Sequence, residues 1–156
     1  MFNSSMGRVF FCASAGGHLT ELLQLTPLIS KFKGIIVTED TTPARALSLP
    51  TLFVPYSSRQ EGLIYLFKYL KVCWLSAYYF FRYQPKVIIS TGVHSTLPLA
   101  LLGRLFRRHV IYIETIANVQ TPTLTGRMMK HLAHEFYVQW EELQSVYPKA
   151  QVGRLF

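Results

Sequence analysis

Asp40 is the only aspartate in this chain of 156 residues. That scarcity removes whole classes of chemistry. No Asp-x-Asp metal site can be built, and no two aspartates can share acid and base roles. Cysteine is nearly as scarce. Cys12 and Cys73 are the two present, without CxxC or zinc-ligand spacing. One falls in an apolar strand-like run and the other in an apolar helical stretch, so both read as core thiols of a reducing compartment. His131 and His134 are expected three apart on a helix, but no carboxylate or cysteine set accompanies them. No metal and no cofactor is therefore expected. A membrane-crossing run is missing too. The uncharged stretch from Val72 to Phe81 falls well short of the roughly 20 apolar residues a span needs. The polar Met1–Gly7 and the brief apolar run behind it do not make a secretory leader, which points to the cytoplasm.

Basic residues are plentiful. Lys and Arg number 16 against 8 Asp and Glu, a net charge of +8, and half of all residues are hydrophobic. An anionic partner is implied: phosphate, nucleic acid or an anionic membrane. Nucleic acid fits least, because no nucleic-acid motif is present and the aromatics are not interleaved with the cations. Strand-like runs fall at Val9–Ala13, Gly34–Thr38, Leu52–Tyr56, Val87–Ser90, His109–Ile113 and Phe136–Trp140. Helical patterns lie between several of them, at Leu19–Phe32, Gly62–Tyr83, Leu97–Phe106 and Leu124–Ala133. Runs such as Val87-Ile88-Ile89 suit strands buried on both faces. The fold class is α/β: one domain over residues 1–156, a Rossmann-like parallel sheet with helices on both faces. Ligands of such sheets bind at the carboxyl ends of the strands, where His18, Glu39, Gly92, His94 and Glu114 all fall.

Ser14-Ala15-Gly16-Gly17-His18 follows the first strand and precedes a helical pattern. Glycines there let backbone N–H groups approach a ligand, and the helix start favours negative charge. His18 stands at its mouth, although a plain turn with a solvated histidine gives the same pattern. Gly62–Tyr83 is a second unusual stretch. Lys68, Lys71 and Arg82 are its only charges and share one narrow stripe, while Tyr65, Tyr69, Trp74, Tyr78 and Tyr79 sit among them. Two readings remain: an interfacial membrane helix, or a helix held between the sheet and a partner subunit. Arg104, Arg107, Arg108 and His109 end the next helix, where cations complement its dipole or bind a headgroup.

Three segments together resemble the N-terminal half of GT-B glycosyltransferases of the peptidoglycan lipid-intermediate type. More closely, they resemble stand-alone versions of that half. These are the membrane-anchoring subunit of the dolichol-pathway N-acetylglucosaminyltransferase and the bacterial capsule and exopolysaccharide enhancer subunits. The segments are the first glycine loop, Thr91-Gly92-Val93-His94-Ser95 with Pro98, and Ile113-Glu114-Thr115 through Asn118 with Leu124–Arg127. Phe136–Leu143 and Tyr147-Pro148-Lys149 resemble the bacterial subunits in particular. Ala15 and Thr115 depart from the peptidoglycan enzymes, which have a glycine and an amide there.

The resemblance implies an acceptor-side subunit that needs a nucleotide-sugar-binding partner, since no second domain or nucleotide-sugar motif follows. The acceptor would be a sugar on polyprenyl pyrophosphate, the donor a UDP-sugar, and the place the cytoplasmic face of the plasma (inner) membrane. His18 and Glu114 are the expected catalytic residues. Ser14, Gly16, Gly17, Gly92, His94, Ser95 and Asn118 are expected to hold the acceptor and its phosphates. Lys68, Lys71, Trp74, Tyr78 and Phe81 are expected to touch the membrane. Two other classes compete: a non-catalytic membrane scaffold that recruits the catalytic subunit, which would tolerate loss of His18, and a Rossmann protein unrelated to sugars. Against the last, the first loop lacks a full G-x-G-x-x-G, and Glu39 and Asp40 only approach the position of a ribose ligand.

Overall fold

The computed structural model describes residues 8–92 and 94–156, with Arg59 described by its backbone only. Met1–Gly7, and Val93 of the second expected loop, lie outside the described residues. Seven strands form one parallel sheet: β1 (Val9–Cys12), β2 (Ile35–Glu39), β3 (Thr51–Val54), β4 (Val87–Ser90), β5 (His109–Ile113), β6 (Glu135–Val138) and β7 (Gln151–Val152). Their order across the sheet is β3-β2-β1-β4-β5-β6-β7. The expected fold class is therefore the observed one. Strand β1 shows why. Phe10 packs into the core on one face of the sheet and Phe11 into the core on the other, both fully buried. A strand apolar on both faces is stable only with helices above and below it.

Helices α1 (Gly17–Leu23), α2 (Thr26–Lys31) and α3 (Thr42–Arg45) belong to the outward path from β1 to β3. Leu19, Leu22 and Ile29 of the first two pack on Phe11 and Ile36. Helix α4 (Leu63–Tyr83) then carries the chain back to β4, beside β1. Helices α5 (Leu97–Leu105) and α6 (Leu124–Leu132) follow, and α4 packs on α5 and α5 on α6. Val72 and Phe80 of α4 and Leu99 of α5 meet Phe10 and Ile88 on the opposite face.

This path reverses between β1 and β4. The connections leaving those two neighbours diverge there, and a crevice opens at their carboxyl ends. The register pairs Cys12 with Ser90, so the Ser14–His18 turn and the Thr91–His94 turn begin at the same height.

Three expectations need correction. The helix expected over Leu19–Phe32 is two helices. Pro27 lies in the first turn of α2, lacks the N–H that a continuous helix would use, and crowds the preceding turn. His134, expected on a helix, follows the end of α6 and stacks on His109. Cys73 is half-buried rather than in the core, whereas Cys12 is fully buried. Five short elements gave no sequence signal long enough to find: α3, β7 and the short helices at Arg59–Glu61, His94–Thr96 and Glu141–Ser145.

Candidate functional site

A cavity of about 510 Å³ occupies the crevice. That volume is within the usual range for small-ligand sites. Its floor is the first turn. The Ser14 N–H donates to the Gly92 carbonyl at 3.1 Å, which ties this turn to the second one. The Ala15 N–H donates to the buried Glu39 carboxylate at 3.1 Å. The amides of Gly17 and His18 follow at the start of α1, where a helix has no carbonyls of its own to offer them. Gly16 and Gly92 hold φ of 79° and 104°, a backbone region that side-chain-bearing residues rarely occupy.

His18 lines the cavity, and its ring is fixed by Thr91. Nδ1 lies 2.9 Å from the Thr91 carbonyl oxygen. A carbonyl only accepts, so Nδ1 carries the hydrogen and the neutral ring keeps its lone pair on Nε2. Thr91 also donates its hydroxyl to the His18 carbonyl at 3.0 Å, which locks the start of α1 onto the end of β4. Nε2 bonds to no described residue. Gly92 lies against this ring, and a Cβ there would come within 3.6 Å of it. Histidine in this tautomer, at a cavity wall, can take a proton from a bound hydroxyl.

The far wall is built by residues beyond β3 and β4. Ser58 and Glu61 form a reciprocal cap, with the Ser58 N–H on the Glu61 carboxylate at 3.0 Å. Lys68 of α4 donates to the same carboxylate at 2.5 Å. This cap holds Tyr56, Ser57 and Ser58 at the cavity. His94 faces them, its Nε2 3.3 Å from the Ser57 hydroxyl, and its ring packs at a tilt against Tyr65 and Tyr69, with centroids at 5.8 and 5.9 Å.

Glu114 stands behind the cavity rather than on its wall. It is fully buried. One oxygen accepts from Tyr112 Oη, the Thr115 N–H and Thr123 Oγ1, each at 3.2 Å. The other lies 3.1 Å from Thr123 Oγ1 and 3.5 Å from Tyr147 Oη. Burial pushes its carboxyl above the ordinary glutamate value, while these hydrogen bonds and the nearby His18 pull the other way. The Thr123 hydroxyl also accepts the Gly126 N–H at 2.8 Å, capping α6. Gly126 leaves room for this packing, because a Cβ there would collide with the Glu114 carboxylate and the Tyr147 hydroxyl and force one of them to shift.

Among the expected acceptor-binding residues, Ser14, Gly92 and His94 line the cavity. Gly16 and Gly17 are exposed in the turn beside it. Ser95 is buried at the start of the next helix, and Asn118 is half-buried on the segment between β5 and α6. The sequence reading missed Tyr56, Ser57, Ser58, Tyr112, Thr123 and Thr125 as lining residues. A serine pair after a strand is common in any loop, so their chemistry carried no separate signal. The Phe136–Leu143 motif turns out to support the third loop: the Tyr137 carbonyl accepts the Glu114 N–H at 2.8 Å, and Trp140 Nε1 donates to the Ile116 carbonyl at 2.8 Å.

The other expected surface lies on α4. Val72, Ser76 and Phe80 face the sheet. Trp74, Tyr78 and Phe81 are exposed, Trp74 by 65 %. Lys71 is exposed, and Lys68 is half-exposed in its pair with Glu61. The apolar surface is wider than the sequence suggested. Phe81 meets Phe106 edge-on at 5.2 Å, and Leu101 and Leu105 of α5 are exposed beside it. Among the described residues no helix is long and apolar enough to cross a membrane.

Comparison with known proteins gives a family. Residues 51–155 match the family described as oligosaccharide biosynthesis protein Alg14 like. The mouse UDP-N-acetylglucosamine transferase subunit ALG14 is 30% identical over 95% of this chain and 82% of its own length. The human protein of the same name is 27% identical over 94% of this chain and 82% of its own. Among solved structures, MurG of Acinetobacter baumannii superposes with a TM-score of 0.68 at 18% identity, over 86% of this chain. The UDP-N-acetylglucosamine 2-epimerase of Rickettsia bellii gives 0.70 at 12% identity, over 94%. This chain spans 42% and 43% of those two proteins, which share its fold.

Proposed function

Because this chain belongs to the Alg14-like family of oligosaccharide biosynthesis proteins, we propose that it is the acceptor-side subunit of a two-subunit glycosyltransferase. The cavity wall at His18 carries this reading: a histidine with Nδ1 anchored to Thr91 and Nε2 open, above a helix start and a glycine turn. A partner would bind the UDP-sugar and close over the crevice. A sugar on polyprenyl pyrophosphate would enter here, with its phosphates at the start of α1 and the Gly92–His94 turn. His18 Nε2 would take the proton from the acceptor hydroxyl as that oxygen attacks the anomeric carbon and UDP leaves. Glu114 has both oxygens engaged behind the wall and would hold the third loop in place.

The exposed face of α4 would rest on the cytoplasmic side of a membrane, with Trp74, Tyr78 and Phe81 at headgroup depth and Lys71 on the anionic surface. A setting at the bacterial plasma membrane, in capsule or exopolysaccharide synthesis, rests on the Phe136–Leu143 and Tyr147–Lys149 resemblance. The chain would then transfer sugar only in the assembled pair, over the whole of residues 1–156 acting as one domain.

Reconstitution tests the proposal. The purified chain is mixed with a nucleotide-sugar-binding partner, a UDP-sugar and a lipid-linked acceptor. Transfer that needs both polypeptides supports it; robust transfer by this chain alone overturns it. The membrane part has its own measurement. Replacing Trp74, Tyr78 and Phe81 by serine should release the folded protein from anionic vesicles in a flotation assay. A variant that stays bound would favour the competing reading, a helix face that packs on a partner.

A further inference from the structure

Glu21 was not among the expected site residues, yet it joins the two loops that frame the cavity. It lies on α1 three residues after His18 and is almost fully buried. One carboxylate oxygen accepts the Thr115 hydroxyl at 2.6 Å and the Ile116 N–H at 3.2 Å, both from the segment between β5 and α6. The other oxygen is buried, has no hydrogen-bond partner among the described residues, and lies 3.9 Å from His18 Nδ1. A buried carboxylate oxygen left without a donor is costly. Its neighbour offers compensation: when the His18 ring carries a second proton, a positive charge lies within 3.9 Å of this oxygen.

We propose that Glu21 is a positioning residue that couples the protonation of His18 to the seating of the 115–118 segment. This rests on the reading of His18 as the proton acceptor. As His18 Nε2 takes the hydroxyl proton, the ring becomes a cation with both nitrogens protonated. Nδ1–H stays on the Thr91 carbonyl, and the positive charge falls within 3.9 Å of the free Glu21 oxygen. The same carboxylate keeps hold of Thr115 and Ile116, and through them of Asn118, whose N–H donates to the Thr115 carbonyl at 3.4 Å. Other charges face this ring. Glu114 lies behind it at the end of β5, Glu39 and His94 share its cavity, and the Tyr112 hydroxyl lies across Gly92. Glu21 differs from them in that its free oxygen forms a charge contact with the imidazole while its other oxygen holds a neighbouring loop.

The test needs no partner and no substrate. The five histidines of the isolated full chain are titrated by NMR in the wild type, Glu21→Gln and Thr115→Val. Glutamine keeps an oxygen for the Thr115 and Ile116 donors but removes the charge. The His18 midpoint should fall by roughly one pH unit, about a tenfold loss of proton affinity, while His94, His109, His131 and His134 stay in place. Thr115→Val cuts one tie to the loop and leaves the charge, so the 115–118 amide signals should move while the His18 midpoint holds. An unchanged His18 midpoint in a folded Glu21→Gln variant overturns the proposal. So does an equal shift in Thr115→Val, which would mean packing rather than charge. Transfer by the assembled pair separates this from the broader reading. If His18→Ala retains full transfer, His18 is not the base, whatever the titration gives. If His18→Ala is inactive and the Glu21→Gln titration is flat, the base stands and the coupling falls.

Discussion

The turn after β1 and the turn after β5 leave the same edge of the sheet, and each carries a titratable side chain, yet the two are built in opposite ways. His18 has one ring nitrogen held by the Thr91 carbonyl and the other open to a cavity. Across from it stands Gly92, which contributes no side chain. Glu114 has both oxygens within hydrogen-bond distance of hydroxyl or amide donors, and Gly126 lets the helix behind it approach until no space is left. Position on the functional edge of a sheet is thus not enough to make a group reactive. What its neighbours leave unbonded decides whether it can meet a substrate. In this chain a glycine opens one turn and another glycine seals the other.

The largest effect should separate the two turns by activity. His18→Ala should lower sugar transfer by the assembled pair about 10²–10⁴-fold. Its thermal midpoint should stay close to that of the wild type, because the ring lies at a cavity rather than in the core. Near-normal transfer by this variant would make both turns structural and leave all chemistry to the partner.

Stability should separate them in the reverse sense. Glu114→Ala strips the acceptors from Tyr112, Thr115 and Thr123 and should cost about 2–4 kcal/mol in urea unfolding. Gly126→Ala drives a methyl into that carboxylate and should cost about 1–3 kcal/mol. The double variant should cost less than the sum, by about 0.5–3 kcal/mol, because the shortened side chain at 114 relieves part of the clash. Strict additivity would show that the two residues are not pressed together.

The sheet and its edge were legible in the sequence because apolar runs buried on both faces report a parallel sheet with helices above and below. The glycine turn and His18 were legible for a related reason: glycines directly between a strand and a helix have few other uses. Glu114 was located but its surroundings were not. Its partners Tyr112, Thr123 and Tyr147 lie up to 33 positions away along the chain, and spacing along a sequence does not reveal which side chains meet around a buried carboxylate. Glu21 was hidden for the opposite reason. A glutamate inside a helix reads as a solvated face, and only the packing of α1 against the 115–116 segment shows that it is buried.

The smallest effect concerns pH and tests whether the sealed turn holds its carboxyl neutral. Burial raises the Glu114 carboxyl in the folded chain above its ordinary value of 4.5. A raised acid binds its proton more tightly in the folded state than in the unfolded one. Its contribution to stability is therefore fully present below about pH 4.5 and is lost as pH rises through the raised folded value. Other carboxylates tilt the wild-type curve the opposite way. Hydrogen bonds from Tyr137 and His109 lower Glu135, and the Arg45 guanidinium lowers Asp40, so those groups lose stability as pH falls. The difference between wild type and Glu114→Gln removes these shared slopes. Glutamine mimics the protonated acid, with an oxygen for Thr115 and an amide for the Tyr147 hydroxyl, so the two proteins should be nearly equally stable at pH 4. From there toward neutrality the glutamine variant should gain on the wild type, by an amount that levels off once Glu114 has ionised. A glutamine variant that instead loses ground as pH rises would mean that Glu114 is held as the anion. The turn after β5 would then hold a fixed charge behind the cavity, in contrast to the neutral imidazole of the turn after β1.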